Sequence, residues 1–199
     1  AVIVQTGDID LGNSDNAGTL TFNSSYITVQ SGNQPPQTQD LSSIFSAPSS
    51  SVSDFYETNL EQFTYLTINA SNYINIQDIA DGDLAFQDGG NIAFNADIND
   101  RAGGEFVMVD RSDIISVLNG DITISSGSSG EGLVLGGLTT GLTNPESSIQ
   151  LIGNRIALEG GEESLETRTL TIATLSADAD IELGSDQPAP NRSDLSATD

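Results

Sequence analysis

Four aspartates close together in the sequence are the residues best placed to do carboxylate chemistry. They are Asp97, Asp100, Asp110 and Asp113, with Arg101 and Arg111 among them. Paired carboxylates act as acid and base in enzymes that cut polysaccharides. The alternative is a set of solvated corners with weak local ion pairs. We favour this alternative, because an acidic-sugar site needs several cations and the chain has five arginines. The sequence therefore predicts no enzymatic activity and no catalytic residue.

A second group of aspartates surrounds a turn and suggests calcium. The group consists of Asp78, Asp81, Asp83 and Asp88. Hard oxygen donors on a turn are the ligands that calcium prefers. The spacing matches neither the EF-hand loop nor the Gly-Gly-x-Gly-x-Asp nonapeptide, and we favour a solvated turn over a calcium site. We therefore predict no cofactor and name no metal ligand, and calcium stays an open alternative.

Composition excludes several other kinds of chemistry. The chain has no histidine, cysteine or lysine, so triad catalysis, structural zinc sites and Schiff-base chemistry are excluded. Its 29 acidic residues against five arginines give a net charge of −24. Nucleic acid binding needs a cationic surface and is not expected. No apolar run approaches the length of a membrane span, so we expect no membrane insertion.

A five-residue phrase recurs along the chain and predicts many short strands. Each phrase opens with a turn residue and then has two apolar residues that are separated by a single polar one. Examples are 7–11, 18–22, 90–94, 120–124 and 179–183. Apolar residues two apart point to one side of a strand. Many such strands at short intervals predict a chain wound around one narrow core, a β-solenoid.

The clearest repeat aligns residues 64–81 with 82–99 at an offset of 18. It pairs Leu66 with Leu84 and Ile74 with Ile92. A coil of this length, at roughly 3.3 Å for each extended residue, would have three short faces. Elsewhere the spacing lengthens, to 21 between Ile149 and Leu170 and to 25 between 156–158 and 181–183. The fold class is therefore predicted as all-β, a parallel β-solenoid, with a β-sandwich as the alternative.

The solenoid domain is expected over residues 1–186, with one excursion at 30–63. Pro35 and Pro36 followed by a serine-rich run cannot continue a strand ladder. We expect an extended loop there, with a short helix over 53–63 that Ser53 would cap. The sequence opens as if already inside a strand, so we interpret it as a mature product or a piece of a longer protein. Residues 187–199 contain two prolines and predict a tail, linker or strap.

Two further features, the tyrosines and the threonines of the predicted strands, are interpreted as structural and not as binding surfaces. Tyr26, Tyr65 and Tyr73 fall in or beside strand phrases, and we expect packing or face residues in preference to a platform for stacking sugars. Threonines alternate with apolar residues, but no regular Thr-x-Thr ladder recurs at one position of the predicted coil. An ice-binding array is therefore not favoured.

The strand phrases of the central region carry a resemblance to a known family. The run from Leu66 to Phe86 and the phrases that begin at Gly90 and Gly120 resemble the filamentous-haemagglutinin-like exoproteins of two-partner secretion, especially large cyanobacterial members. The likeness covers about residues 53–126. It implies a right-handed parallel β-helix, secreted by bacteria and displayed at the cell surface. The secretion-domain Asn-Pro-Asn-Gly motif is missing, and no family catalytic residue transfers to this sequence.

Together these observations predict an extracellular structural or adhesive protein. Its β-helix would be a shaft or fibre subunit at the cell surface, and its partners would be itself, stacked head to tail, or a surface glycan or protein. The alternatives are a carbohydrate-active β-helix enzyme and a calcium-stabilised glycan-binding module.

Overall fold

The computed structural model describes residues 19–31, 52–99, 104–127, 132–161, 164–175, 181–183 and 193–195. These residues form parallel strands that wind as an all-β solenoid, as predicted. All strand pairs in the described parts of the chain are parallel, which excludes the β-sandwich because sandwiches pair their strands antiparallel.

The coils have three faces, which we call A, B and C. Face A stacks the first halves of β1 (Thr19–Gln30) and β3 (Tyr65–Ile76) with β5 (Asn91–Asn95), β8 (Asp121–Ser125), β11 (Ser148–Ile152) and β14 (Thr169–Ala173). Face B stacks β2 (Val52–Tyr56), the second halves of β1 and β3, β6 (Glu105–Met108), β9 (Gly132–Leu135) and β12 (Ile156–Leu158). Face C stacks β4 (Asp83–Ala85), β7 (Ile114–Ser116), β10 (Gly137–Thr139) and β13 (Leu165–Glu166).

The predicted coil length is wrong in the central region. Leu66 pairs with Ile92, and Ile92 pairs in turn with Ile122, so these two coils are unequal and both are longer than the offset of 18. Leu66 and Leu84, which that offset aligned, lie on faces A and C of one coil. The predicted spacing of 21 between Ile149 and Leu170 is confirmed as a stacked pair.

The core consists of inward columns, one residue thick, that run along the axis. On face A the strands alternate buried and half-exposed residues, so that Leu66, Ile92, Ile122 and Ile149 stack in one dry column. Three phenylalanines, one from each face, meet in this core. The ring of Phe94 lies 6.2 Å from that of Phe86 and 5.6 Å from that of Phe106.

The outer side of face A carries a ladder of hydrogen-bonded amides. Asn69 Nδ2 donates to Asn23 Oδ1 at 2.9 Å, and Asn95 Nδ2 donates to Asn69 Oδ1 at 2.8 Å. The Ser125 hydroxyl then donates to Asn95 Oδ1 at 2.7 Å. These side chains satisfy one another along the axis, which adds a second set of bonds to the backbone ladder.

The excursion at 30–63 returns to the solenoid and covers one of its ends. Residues 32–51 lie outside the described part of the chain. The helix predicted over 53–63 is wrong at its start: Val52–Tyr56 is a strand, because it pairs with residues 26–30 of β1. A single helical turn, α1 (Glu57–Leu60), follows it, without a side-chain cap.

This returning segment closes the core at the outer edges of faces B and C. Strand β2 lies on the outer edge of β1. The Ala85 N–H of β4 donates to Glu61 Oε1 at 3.0 Å, and Gln87 Nε2 donates to the Glu61 carbonyl. Leu60 and Phe63 are buried in the core. The predicted boundary at 186 lies outside the described residues. Beyond it only β16 (Ser193–Leu195) is described, paired with β15 (Ile181–Leu183).

Candidate functional site

Three aspartates meet at the corner between faces B and C. Carboxylate oxygens of Asp78, Asp110 and Asp113 all lie within 4.8 Å of one another. Asp78 follows β3 and Asp110 follows β6, each two positions after the paired residues Ile76 and Met108, so stacking of the coils brings them together. Asp113 comes from the other side of the same turn, directly before β7.

Asp113 is the buried member of this cluster. Its side chain is 2% exposed, and its Oδ2 accepts a hydrogen bond from the Ile79 N–H at 2.9 Å. Burial raises the pKa of the Asp113 carboxyl, and the neighbouring Asp110, Asp78 and Asp81 raise it further against the lowering effect of the Ile79 N–H. The ionised Asp113 is thus held in an unfavourable environment that a cation would relieve.

Asp110 has the opposite electrostatic environment. Its Oδ1 accepts hydrogen bonds from the Ser112 N–H at 2.8 Å and from the Ser112 hydroxyl at 2.7 Å. These two bonds lower the pKa of Asp110. The guanidinium of Arg111 is directed elsewhere and forms an ion pair with Glu159 at 2.7 Å. The positive charge of Arg111 still helps to lower the pKa of Asp110, but no arginine in the described part of the chain is bonded to the oxygens of the cluster.

The structure regroups the aspartates that the sequence had grouped by proximity. Asp97 follows β5 at the corner between faces A and B, away from Asp110 and Asp113; Asp100 and Arg101 lie outside the described residues. From the turn group, only Asp78 joins the cluster. Asp81 Oδ1 accepts from the Asp83 N–H, Asp83 accepts from the Ser116 hydroxyl on face C, and Asp88 accepts from Asn119 at the next corner.

Asp97 occupies a tightly built corner of its own. It is buried, has a backbone φ of 50°, and its carboxylate packs between the backbones of Gly104 and Gly127. A Cβ on Gly104 would lie 2.2 Å from the Asp97 Cβ, so that position requires glycine. Asp97 therefore serves the packing of this corner, and it does not pair with the other aspartates of its predicted group.

The chemistry available at the cluster is cation binding by hard oxygen donors. Three carboxylates on one corner suit calcium, which takes several oxygen ligands in a flexible geometry. The residues fit such an ion because Asp113 is buried, and its burial together with the charges of the other two raises its pKa. A shared acid and base role for Asp97 with Asp110 or Asp113 is not supported, because they lie at different corners.

Comparisons with known proteins add nothing to this geometry. No protein-family model, no curated protein and no solved structure matches the chain. Among the described residues, no helix is both long and apolar enough to cross a membrane.

Proposed function

We propose that this chain is a structural segment of an extracellular bacterial protein, a β-helical spacer that carries adhesive surfaces at the cell surface. The observation that carries the proposal is the uninterrupted stack of six strands on face A. The backbone hydrogen bonds of this stack all run along one axis, and columns of inward side chains fill the space between the faces. Such a stack is stiff because bending it breaks several ladders and the core packing together.

The covered end of the solenoid supports a spacer more than a self-polymerising fibre. An open end coil exposes strand edges, to which a second copy can add. Here β2 occupies the outer edge of β1 on face B, and Glu61 satisfies the outer edge of β4 on face C. Head-to-tail stacking on faces B and C of this end would have to displace both, so we propose that the unit is displayed singly.

The catalytic alternative has less support. A polysaccharide-cutting site needs an acid and a base that flank a groove, with cations to hold an acidic sugar. Asp97 lies at another corner from Asp110 and Asp113, and Arg111 is already paired with Glu159. We therefore propose no enzymatic activity.

The display of this protein can be tested on the cells that produce it. Antibodies against the purified chain should label intact cells, and brief protease treatment of those cells should remove the signal. In parallel, light scattering after size-exclusion chromatography should give a monomer over a wide range of concentration. Labelling that requires cell lysis would overturn the extracellular role, and regular fibres in electron micrographs would overturn the single-unit form.

A second candidate role, calcium-stabilised folding, is favoured by the Asp78, Asp110 and Asp113 cluster. Because the pKa of Asp113 is raised in the fold, its contribution to stability is lost as pH rises through the folded pKa. At neutral pH the ionised group is thus a source of instability. Calcium bound there should raise the free energy of unfolding by about 1.4 kcal/mol for each tenfold excess of free calcium over its dissociation constant. The melting temperature should rise accordingly.

Asp113→Asn tests this role, because the asparagine Oδ1 can still accept from the Ile79 N–H. In chelator, we expect the variant to melt at or above the temperature of the native chain, and to gain little from calcium. Glu146→Gln, which removes an exposed carboxylate elsewhere, is the matched control and should keep the calcium response. Sodium chloride at equal ionic strength controls for screening of the −24 charge. An equal calcium response in Asp113→Asn would eliminate the site.

A further inference from the structure

The outer side of face B carries a group of uncharged aromatic and amide side chains near the covered end. Ile27, Val29, Ile74 and Ile76 point into the core and are fully buried. The residues that alternate with them therefore point outward. We call these outward residues the tyrosine strip: Tyr26, Thr28 and Gln30 on β1, and Tyr73, Asn75 and Gln77 on and directly after β3.

The two tyrosines form a pair at one end of the strip. Tyr26 and Tyr73 are in register, and their ring centroids lie 4.6 Å apart with the planes tilted by 59°. A shift of register after Ser24 places both rings at the first outward position of face B. Both tyrosines are half-buried, so they present apolar ring surface beside polar hydroxyls. A third tyrosine, Tyr56 on β2, pairs with Gln30 at the other end of the strip.

The amides of the strip differ from those of face A. On face A, Asn23, Asn69 and Asn95 are bonded to one another. On the tyrosine strip, the side chains of Gln30, Asn75 and Gln77 make no hydrogen bond to any described residue. Half-buried amide groups that are not bonded to the described part of the chain can donate to and accept from a ligand.

The absence of charged side chains on the strip limits the class of ligand that it can bind. None of the six strip residues is charged, although the chain carries −24 overall. The strip has no cation to hold an anionic sugar, and acidic residues border it: Asp54 of β2 is in register with Thr28, and Glu105 is the outward residue of β6 beside Tyr73. An anionic sugar is therefore disfavoured. Aromatic rings that stack against the C–H faces of pyranose rings, with amides that bond their hydroxyl groups, suit a neutral carbohydrate.

We propose that the tyrosine strip binds a neutral glycan chain. Tyr26 and Tyr73 would stack one sugar, and Gln30, Asn75 and Gln77 would bond the hydroxyl groups of the same or the next unit. Tyr56 lies about 13 Å along the strand direction from Tyr26, so the strip can engage more than one sugar. The assignment rests on the proposed adhesive role and names the chemical class of its partner.

Affinity electrophoresis tests the assignment, with laminarin, xyloglucan, galactomannan and dextran as neutral probes and alginate as the anionic one. At least one neutral polysaccharide should retard the native chain. Tyr26→Ala and Tyr73→Ala should each weaken that binding at least tenfold. Tyr65→Ala is the matched control: Tyr65 is 45% exposed on the outer side of face A, and its loss should leave binding unchanged.

Three results would overturn the assignment: no retardation by any neutral probe, retardation by alginate alone, or equal weakening by Tyr65→Ala. Thermal unfolding of each variant separates lost binding from lost folding. Tyr26→Phe keeps the aromatic ring, so it tests the role of the ring if Tyr26→Ala does not fold. Its affinity should stay within about threefold of that of the native chain. Surface labelling of intact cells is independent of this result, so failure of the glycan site and failure of the structural role are distinguishable.

Discussion

Phe94→Ala should lower the free energy of unfolding by about 3–5 kcal/mol, one of the two largest effects that we expect. Phe94 is fully buried, and its ring contacts one aromatic ring from each of the other two faces, Phe86 and Phe106. Truncation leaves a cavity at the point where faces A, B and C meet. The ladders on either side limit how far the neighbours can collapse into it.

Urea unfolding followed by circular dichroism measures this cost. Tyr65→Ala is the matched control, since it removes an aromatic ring from the outer side of the same face, and it should cost less than about 1 kcal/mol. Similar costs for the two variants would mean that Phe94 is not at the centre of the core.

Gly120→Ala is the second large effect, and we expect it to cost about 3 kcal/mol or to prevent folding. A Cβ at this position would lie 2.1 Å from the carbonyl oxygen of Gly90 in the preceding coil and 2.6 Å from Val117 Cγ1. The Asp121 N–H donates to that same carbonyl at 2.9 Å, so the two coils cannot separate without losing a ladder bond.

The matched control is Gly82→Ala. Gly82 has a φ of 79°, but a Cβ there meets nothing within 4 Å. Its cost is therefore conformational alone, about 1–2 kcal/mol. The melting temperature should fall further for Gly120→Ala than for Gly82→Ala. The reverse order would show that the coils are not packed this closely at the corner.

Sequence patterns predicted the strands well but not the length of a coil. The phrases 90–94 and 120–124 coincide with β5 and β8, because alternation of apolar residues is a local property of one strand. The same alternation occurs on all three faces. Leu66 and Leu84 therefore look equivalent in sequence although they lie on different faces. Corner loops set the coil length, and they carry no comparable period.

The candidate site could not be predicted from the sequence, because its aspartates come together only when the length of a coil is known. Asp78 and Asp110 become neighbours because Ile76 stacks on Met108, which requires the chain to complete one full coil between these two positions. Grouping by sequence distance instead joined Asp97 to Asp110. Tyr26 and Tyr73 also pair only through a register that crosses the excursion at 30–63. Such pairings between coils depend on three-dimensional stacking.

Disulfide formation between chosen positions tests the central claim, that coils stack in the register described. The chain has no cysteine, so any disulfide that is detected within one chain must join the two engineered cysteines. Thr67 and Ala93 are in register on adjacent strands of face A, about 4.8 Å apart, within the range of a disulfide. Thr67 and Ala85 stand at the offset that the sequence repeat favoured, and they lie on different faces.

Under mild oxidation, Thr67→Cys with Ala93→Cys should form an intramolecular disulfide almost completely. Thr67→Cys with Ala85→Cys should keep both thiols free for alkylation, as read by mass spectrometry. A disulfide in the second pair with free thiols in the first would contradict the stacking, and with it the spacer and both proposed sites.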